Sequence, residues 1–132
     1  MSRTLLAADV PAFLAKAVTS FTDSPEYRQL DESSQSVPGL VVGQLGKMLQ
    51  RLQTEASERQ PTIEVTTTLG EAYSALEVLS SAPAPAVQNL VVVEVLEHLH
   101  VSEDVRDSIV ANLGERTQQL YRQWVSPRTE SP

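Results

Sequence analysis

The segment Gln88–Asp104, QNLVVVEVLEHLHVSED, constrains the fold more than any other part of the chain. Its valines favour β-structure, so a buried strand is one interpretation. Plotted at 100° per residue, however, the large apolar residues fall within an arc of about 140°, opposite the polar ones. The apolar set is Val91, Val92, Val95, Leu96 and Leu99, and the polar set is Glu94, Glu97 and His98.

The cost of a helix in this segment is small. Valines lose only tenths of a kcal/mol each in a helix, whereas burial of such a side chain returns about 1.5–3 kcal/mol. A strand would also place Glu94 and Glu97 on opposite faces. We therefore predict a helix over residues 86–101, with a strand as the alternative.

Apolar residues at helical spacing mark further helices within Val10–Phe21, Val41–Leu52, Leu69–Leu79, Val105–Leu113 and Thr117–Trp124. Short connections make neighbouring helices antiparallel. We predict an all-α fold of about six or seven helices, either an antiparallel helix bundle or a short solenoid-like superhelix. Residues 1–125 are expected to form a single helical domain and residues 126–132 a disordered tail. The predicted core is Phe13, Leu14, Val41, Leu45, Leu49, Leu76, Leu79, Val91, Val92, Val95, Leu96, Leu99, Ile109, Leu113, Leu120 and Trp124.

Capping residues predict where three of the helices begin. Ser24-Pro25-Glu26 predicts the start of a short helix that carries Tyr27 and Leu30. Ser102 is followed by Glu103 and Asp104, which is typical of an N-cap with carboxylates in the first turn. Thr68 and Glu71 have the spacing of a capping box, which predicts a helix start at Thr68. The residues before it, 63–67, alternate in polarity, so a brief extended segment is possible there.

Three glycines lie at informative positions. Gly43 and Gly46 are three residues apart within an apolar helical stripe, which favours a close helix crossing. No Gly-Lys-Ser/Thr sequence follows them, so a nucleotide-phosphate loop is not expected. Gly114 follows an apolar helical run and is predicted to form a left-handed C-cap.

Composition limits the classes of partner. The chain has 132 residues, a net charge of −7 and no cysteine, so disulfides and thiol catalysis are excluded. No apolar run reaches about 18 residues, the length a membrane-spanning helix needs. We expect a soluble, cytoplasmic protein that binds neither nucleic acid nor membrane, since an acidic surface repels phosphates. Such a charge attracts basic partners, although solubility alone also accounts for it.

No metal, other cofactor or catalytic group is expected. Glu97 and His100 have the Glu-x-x-His spacing of di-iron bundles, but those sites need two such motifs, and the chain has only two histidines. Carboxylates three residues apart on one helix usually serve as solvated charge. The Gly-x-Ser-x-Gly motif of a nucleophile elbow is absent. We therefore expect a protein that is not an enzyme.

Acidic residues concentrate in two places: at Asp31–Glu32, and along two successive predicted helices, 86–101 and 103–113. If these helices pack antiparallel, their polar faces form one acidic ridge suited to a basic protein surface. An ordinary solvated face is the alternative. The predicted partner-binding residues are Glu94, Glu97, His98, Glu103, Asp104 and Asp107.

The second half of the chain resembles a family of small, uncharacterised bacterial helical proteins. The resemblance covers Val37–Trp124 and is carried by Val37–Leu49, by Gln88-Asn89-Leu90 through Leu99, and by Leu113-Gly114-Glu115-Arg116-Thr117. Relatives of this type are thought of as immunity proteins of interbacterial toxin systems, which bind a cognate toxin domain and block it. The resemblance implies a binding protein and supplies no catalytic residues. Gln88 and Asn89 are expected to hydrogen-bond the loop before their helix.

We therefore expect an immunity-type protein that neutralises a toxin domain through a protein–protein interface. A non-catalytic structural or adaptor module is the alternative.

Overall fold

The computed structural model describes residues 4–125, and the predicted tail at 126–132 lies outside this range. The all-α prediction is confirmed, since the described residues form a helix bundle and contain no β-strand. Short 3₁₀ turns join several helices, and a π-helical turn at Tyr121–Val125 follows the last one. Within residues 4–125, no helix has the length and apolar character needed to cross a membrane. The helices are α1 Val10–Ala17, α2 Pro25–Arg28, α3 Pro38–Glu58, α4 Ile63–Ser80, α5 Pro85–Glu94, α6 Glu103–Asn112 and α7 Glu115–Leu120.

Helix α3 is the central element of the bundle. It packs against α1, α2, α4, α5 and α6, while α4 additionally contacts α5 and α7. The predicted apolar stripe of α3 is buried throughout its length, as its spacing requires for a helix surrounded by others. Its buried apolar residues are Val41, Val42, Leu45, Met48, Leu49 and Leu52.

The predicted close helix crossing is confirmed where α3 meets the end of α5. A β-carbon added to Gly46 would lie 3.2 Å from one methyl of Val95 and 3.5 Å from its Cα atom. Gly43 faces the Glu94 carboxylate on the same side of α3. Glycine thus lets the backbones approach to a distance at which any larger residue would overpack.

The segment that defines the fold class is helical, but the helix is shorter than predicted. Helix α5 ends at Glu94, a 3₁₀ turn spans Leu96–His98, and Leu99 has φ −81° and ψ 81°. The three valines expected to face the core, Val91, Val92 and Val95, are all buried, whereas Val93 is exposed. The helix stops early because Gln50 of α3 binds the backbone of His98 and His100.

The predicted start of α4 was wrong. The helix begins at Ile63, and the hydroxyl of Thr62 caps it by accepting a hydrogen bond from the Val65 amide at 3.1 Å. Residues 63–67 are therefore helical rather than extended. Thr68 lies inside the helix, where its buried hydroxyl is 2.9 Å from that of Ser20. A threonine N-cap six residues upstream, Thr62, outcompetes the Thr68 capping box, and it places Glu64 in the first turn.

The predicted starts at Ser24 and Ser102 agree with the structure. Both hydroxyls accept a hydrogen bond from the amide three residues later, which is the N-cap geometry.

Three further expectations require correction. Gly114 is not a left-handed C-cap: its φ is −67°, and it precedes the first residue of α7 as the N-cap. Trp124 is 60% exposed rather than part of the core, because it lies in the π-helical turn. Phe13 is half-buried and packs against the edge of the core. The other predicted core residues are all buried.

Glycine-to-alanine substitutions in the two long helices should have opposite effects. Gly70→Ala should stabilise the protein by about 0.5–1 kcal/mol, since α4 gains helix propensity and the described structure leaves open space there. Gly46→Ala should destabilise it by about 1 kcal/mol or more, because the buried Val95 cannot move away. Urea denaturation of both variants measures the difference. Equal stabilisation by both would contradict the close crossing.

Candidate partner-binding surface

The structure does not join the six predicted partner-binding residues into one ridge. Helix α6 packs against α3 far more than against α5, so the two polar faces do not align. Glu94 and His98 line a cleft beside α3, whereas Glu97, Glu103 and Asp107 line a groove on the other side of the 96–98 turn. Asp104 is exposed in the first turn of α6. The acidic surface is therefore divided into two separate depressions.

The first depression, called the acidic groove here, lies between the 96–98 turn, α6 and the π-helical turn. It encloses about 830 Å³ and is large enough to accept several side chains. Its carboxylates are Glu97, Glu103 and Asp107, and Arg106 also lines it. The apolar residues that line the groove are Leu96, Leu99, Val110, Ala111, Tyr121 and Val125.

The carboxylates of the acidic groove are available for a partner. Within residues 4–125, none of Glu97, Glu103, Asp104 or Asp107 forms an ion pair. All four side chains belong to exposed residues, so their charge is solvated in the unbound protein. A cationic surface that docks here would meet carboxylates that are not already neutralised by an internal partner.

Trp124 is an exposed residue of the π-helical turn that borders this groove, although its spacing predicted a core position. Its neighbours Tyr121 and Val125 both line the groove, and its own side chain is 60% exposed. The α-helical spacing from Leu120 predicted burial, but the wider i→i+5 turn at 121–125 changes the direction of the side chains. Nothing in the local residue pattern signals a π-helical turn, so the sequence alone could not place this tryptophan.

The second depression, called the glycine cleft here, lies between α3 and the end of α5 and encloses about 500 Å³. Gly39 and Gly43 leave room for the Glu94 carboxylate, since a β-carbon at Gly39 would lie 3.1 Å from Glu94 Oε2. Lys47, His98 and His100 line the same cleft. Among the described residues, no three His, Asp or Glu side chains are grouped so that they could hold a metal ion together.

The short helix α7, which leads into the π-helical turn, is held by one carboxylate from α4. Glu77 Oε2 accepts the Arg116 amide at 2.9 Å, and Glu77 Oε1 accepts the Thr117 amide at 3.0 Å. The Thr117 hydroxyl donates to Glu77 Oε1 at 2.8 Å and lies 2.9 Å from the buried Ser80 hydroxyl. Glu77 thus caps the N-terminus of a helix distant in sequence, in the way that a local Asp or Ser usually does.

Gly114 and Gln88 take part in this same network. A β-carbon at Gly114 would collide with the Glu77 carboxylate, so glycine is required there by space rather than by φ. Gln88 Nε2 donates to the Ala82 carbonyl at 2.6 Å, as predicted for the loop before α5, and Gln88 Oε1 accepts from Arg116 at 3.2 Å. Asn89 is exposed. Gly114 and Gln88 therefore contribute to the packing of α7 against α4 and α5.

The Glu77 carboxyl titrates below its ordinary range. Burial raises its pKa, but hydrogen bonds from the Arg116 amide, the Thr117 amide and the Thr117 hydroxyl outweigh that effect and lower the pKa from 4.5. A carboxyl with a lowered folded-state pKa stabilises the protein above its unfolded-state pKa. That stabilisation is lost as pH falls through the folded-state pKa.

Comparison with protein-family models, curated proteins and solved structures finds no match for this chain. Its function is therefore inferred from the surface features described above. Of the two depressions, only the acidic groove combines several apolar lining residues with several carboxylates that form no ion pair within residues 4–125.

Glu77→Ala should lower the free energy of unfolding by about 1–2 kcal/mol at neutral pH, because two amides at the start of α7 lose their acceptor. The control Glu58→Ala, at an exposed position at the end of α3, should change it by less than about 0.5 kcal/mol.

Glu77→Gln tests the charge separately. Its destabilisation relative to the parent chain should shrink as the pH falls below the 4.5 of an ordinary glutamate, since the parent then loses the same negative charge. Urea denaturation across this pH range measures the difference in the free energy of unfolding between Glu77→Gln and the parent chain. A difference that stays constant down to acid pH would show that the charge on Glu77 does not stabilise α7.

Proposed function

We propose that this chain is a protein-binding module and that the acidic groove docks a basic, partly apolar segment of its partner. The observation that carries the proposal is the combination at one place of Glu97, Glu103 and Asp107, none of them ion-paired within residues 4–125, with apolar lining. A net charge of −7 extends the same preference to the whole surface.

The two kinds of lining residue contribute differently to binding. Apolar contact with Leu96, Leu99 and Val110 supplies affinity through the area removed from water. The surrounding carboxylates speed encounter with a basic surface and fix its orientation, and they add less to affinity because exposed charges are screened. Trp124 is placed to act as an aromatic anchor, the residue type that most often dominates interface energies.

The partner that we propose is a bacterial toxin domain with a basic surface, which makes this chain an immunity-type protein. The resemblance over Val37–Trp124 supports this finer proposal, together with the acidic groove. Docking of the groove over a basic substrate site would block the toxin by occlusion, with carboxylates taking the place of an anionic substrate. An adaptor that binds a basic protein without inhibiting it is the alternative function for the same surface.

Charge reversal tests the groove. The triple variant Glu97→Lys, Glu103→Lys, Asp107→Lys should slow association with a candidate toxin domain that has a basic surface, and it should remove most of the salt dependence. The matched control, Glu32→Lys, Glu58→Lys, Glu115→Lys, makes the same charge change at exposed positions outside both depressions. Association rates at several salt concentrations distinguish the two. Equal slowing by both variants would place the interface elsewhere.

Co-expression separates inhibition from adaptor binding. An immunity protein should restore survival of cells that produce the toxin domain, and the groove variant should restore it less than the control variant does. Binding without any rescue would support the adaptor alternative and rule out immunity.

Trp124 provides an internal probe, because it is the only tryptophan of the chain. The unbound protein should show the fluorescence of a solvated indole, and docking should shift the emission to shorter wavelength. Trp124→Ala should leave the free energy of unfolding within about 0.5 kcal/mol of the parent while weakening binding by more than about 1 kcal/mol. A large loss of stability with unchanged affinity would contradict the proposed anchor.

A further inference from the structure

We propose that His98 and His100, in the glycine cleft, form a two-imidazole site for a divalent transition-metal ion of the zinc type. Neutral imidazole is a good ligand for Zn²⁺, Ni²⁺ and Cu²⁺ but a poor one for Mg²⁺ and Ca²⁺, which prefer oxygen. The two side chains line the cleft together, and they are the only histidines of the chain.

A tight backbone turn directs both imidazoles into the same cleft. The His100 amide donates to the His98 carbonyl at 3.0 Å, and Leu99 between them has φ −81° and ψ 81°, which together define an inverse γ-turn. Leu99 is 9% exposed and contributes to the core. Because Leu99 is held in the core, the histidines on either side of it remain exposed and line the cleft.

Gln50 holds this turn in place from the central helix. Its Nε2 donates to the His98 carbonyl at 2.9 Å, and its Oε1 accepts from the His100 amide at 2.8 Å. Both the nitrogen and the oxygen of the Gln50 side-chain amide therefore hydrogen-bond the backbone of the two histidines. Because Gln50 belongs to the 21-residue helix α3, the pair is positioned by a rigid element before any ion binds.

The separation of the two rings suits a shared ion. Their centroids are 5.7 Å apart at an interplanar angle of 64°. With Zn–N distances of about 2.1 Å, two imidazoles on a tetrahedral ion have centroids roughly 5 Å apart, which is close to the separation in the unbound protein.

The cleft adds charge but no complete ligand shell. Glu94 lines it and favours a cation, whereas Lys47 lines it and opposes one. Because no group of three ligating side chains occurs within residues 4–125, the remaining positions of the ion would be held by water. Such a site binds more weakly than a closed structural zinc site and keeps positions open for an external donor.

Calorimetric titration of the full chain with Zn²⁺ tests the proposal, with Ni²⁺ and Mg²⁺ as comparisons. We expect saturable binding of one Zn²⁺ or Ni²⁺ per chain and none of Mg²⁺. His98→Gln and His100→Gln should each weaken Zn²⁺ binding by at least about tenfold, whereas Glu58→Gln, at an exposed position outside the cleft, should leave it unchanged. Unchanged Zn²⁺ affinity in both histidine variants would overturn the proposed site.

Gln50→Met distinguishes a built site from two independent surface histidines. It keeps both imidazoles and the helix but removes both hydrogen bonds to the turn, so binding should weaken by about tenfold. Circular dichroism checks that the variant is folded. Unchanged Zn²⁺ affinity in a folded variant would refute preorganisation by Gln50.

Proton NMR of the parent chain gives a readout that needs no variant. The ring resonances of His98 and His100 should shift together at the same Zn²⁺ concentration. Separate titration of the two rings would exclude a shared ion.

Discussion

The close approach of α3 and α5 at Gly46 and Val95 is the constraint on which the rest of the structure depends. Helix α3 touches most of the other helices, so its distance from α5 sets the geometry of the bundle. The same crossing brings Gln50 to the residues after Val95, where its two hydrogen bonds replace the helical bonds that would continue α5. The absence of a side chain at Gly46 therefore brings Gln50 close to the end of α5, where it holds the turn that separates the two depressions.

That turn separates two depressions with different chemistry. On one side, Glu94, His98 and His100 face the glycine-containing surface of α3. On the other, Glu97 joins Glu103 and Asp107 around apolar residues of α6 and the π-helical turn. A continuous α5 would have placed Glu94 and Glu97 on one face, so the break in the helix determines which carboxylates act together.

Glu77 provides the second long-range connection in the structure, because it joins α4 to the start of α7. Gly114, Thr117 and Gln88 all contribute to the network that holds α7 against α4 and α5. Within the described residues no buried side-chain polar atom lacks a hydrogen bond, as a fixed polar cluster in a core requires. Gly114, Thr117 and Gln88 therefore secure the fold, whereas the proposed interface uses carboxylates outside this network.

The sequence by itself determined the helical class, the inward valines of α5, the apolar stripe of α3 and the caps at Ser24 and Ser102, because these depend on neighbours within four residues. It also predicted the use of Gly46 at a crossing and most of the core. Only the tertiary structure decided where α5 ends, why position 114 is glycine and which acidic residues share a groove. Those outcomes depend on partners such as Gln50, 48 residues from His98, and Glu77, 39 residues from Arg116. A local residue pattern cannot predict a contact between residues so far apart in the chain. The exposure of Trp124 likewise depends on a π-helical turn that the residue spacing does not predict.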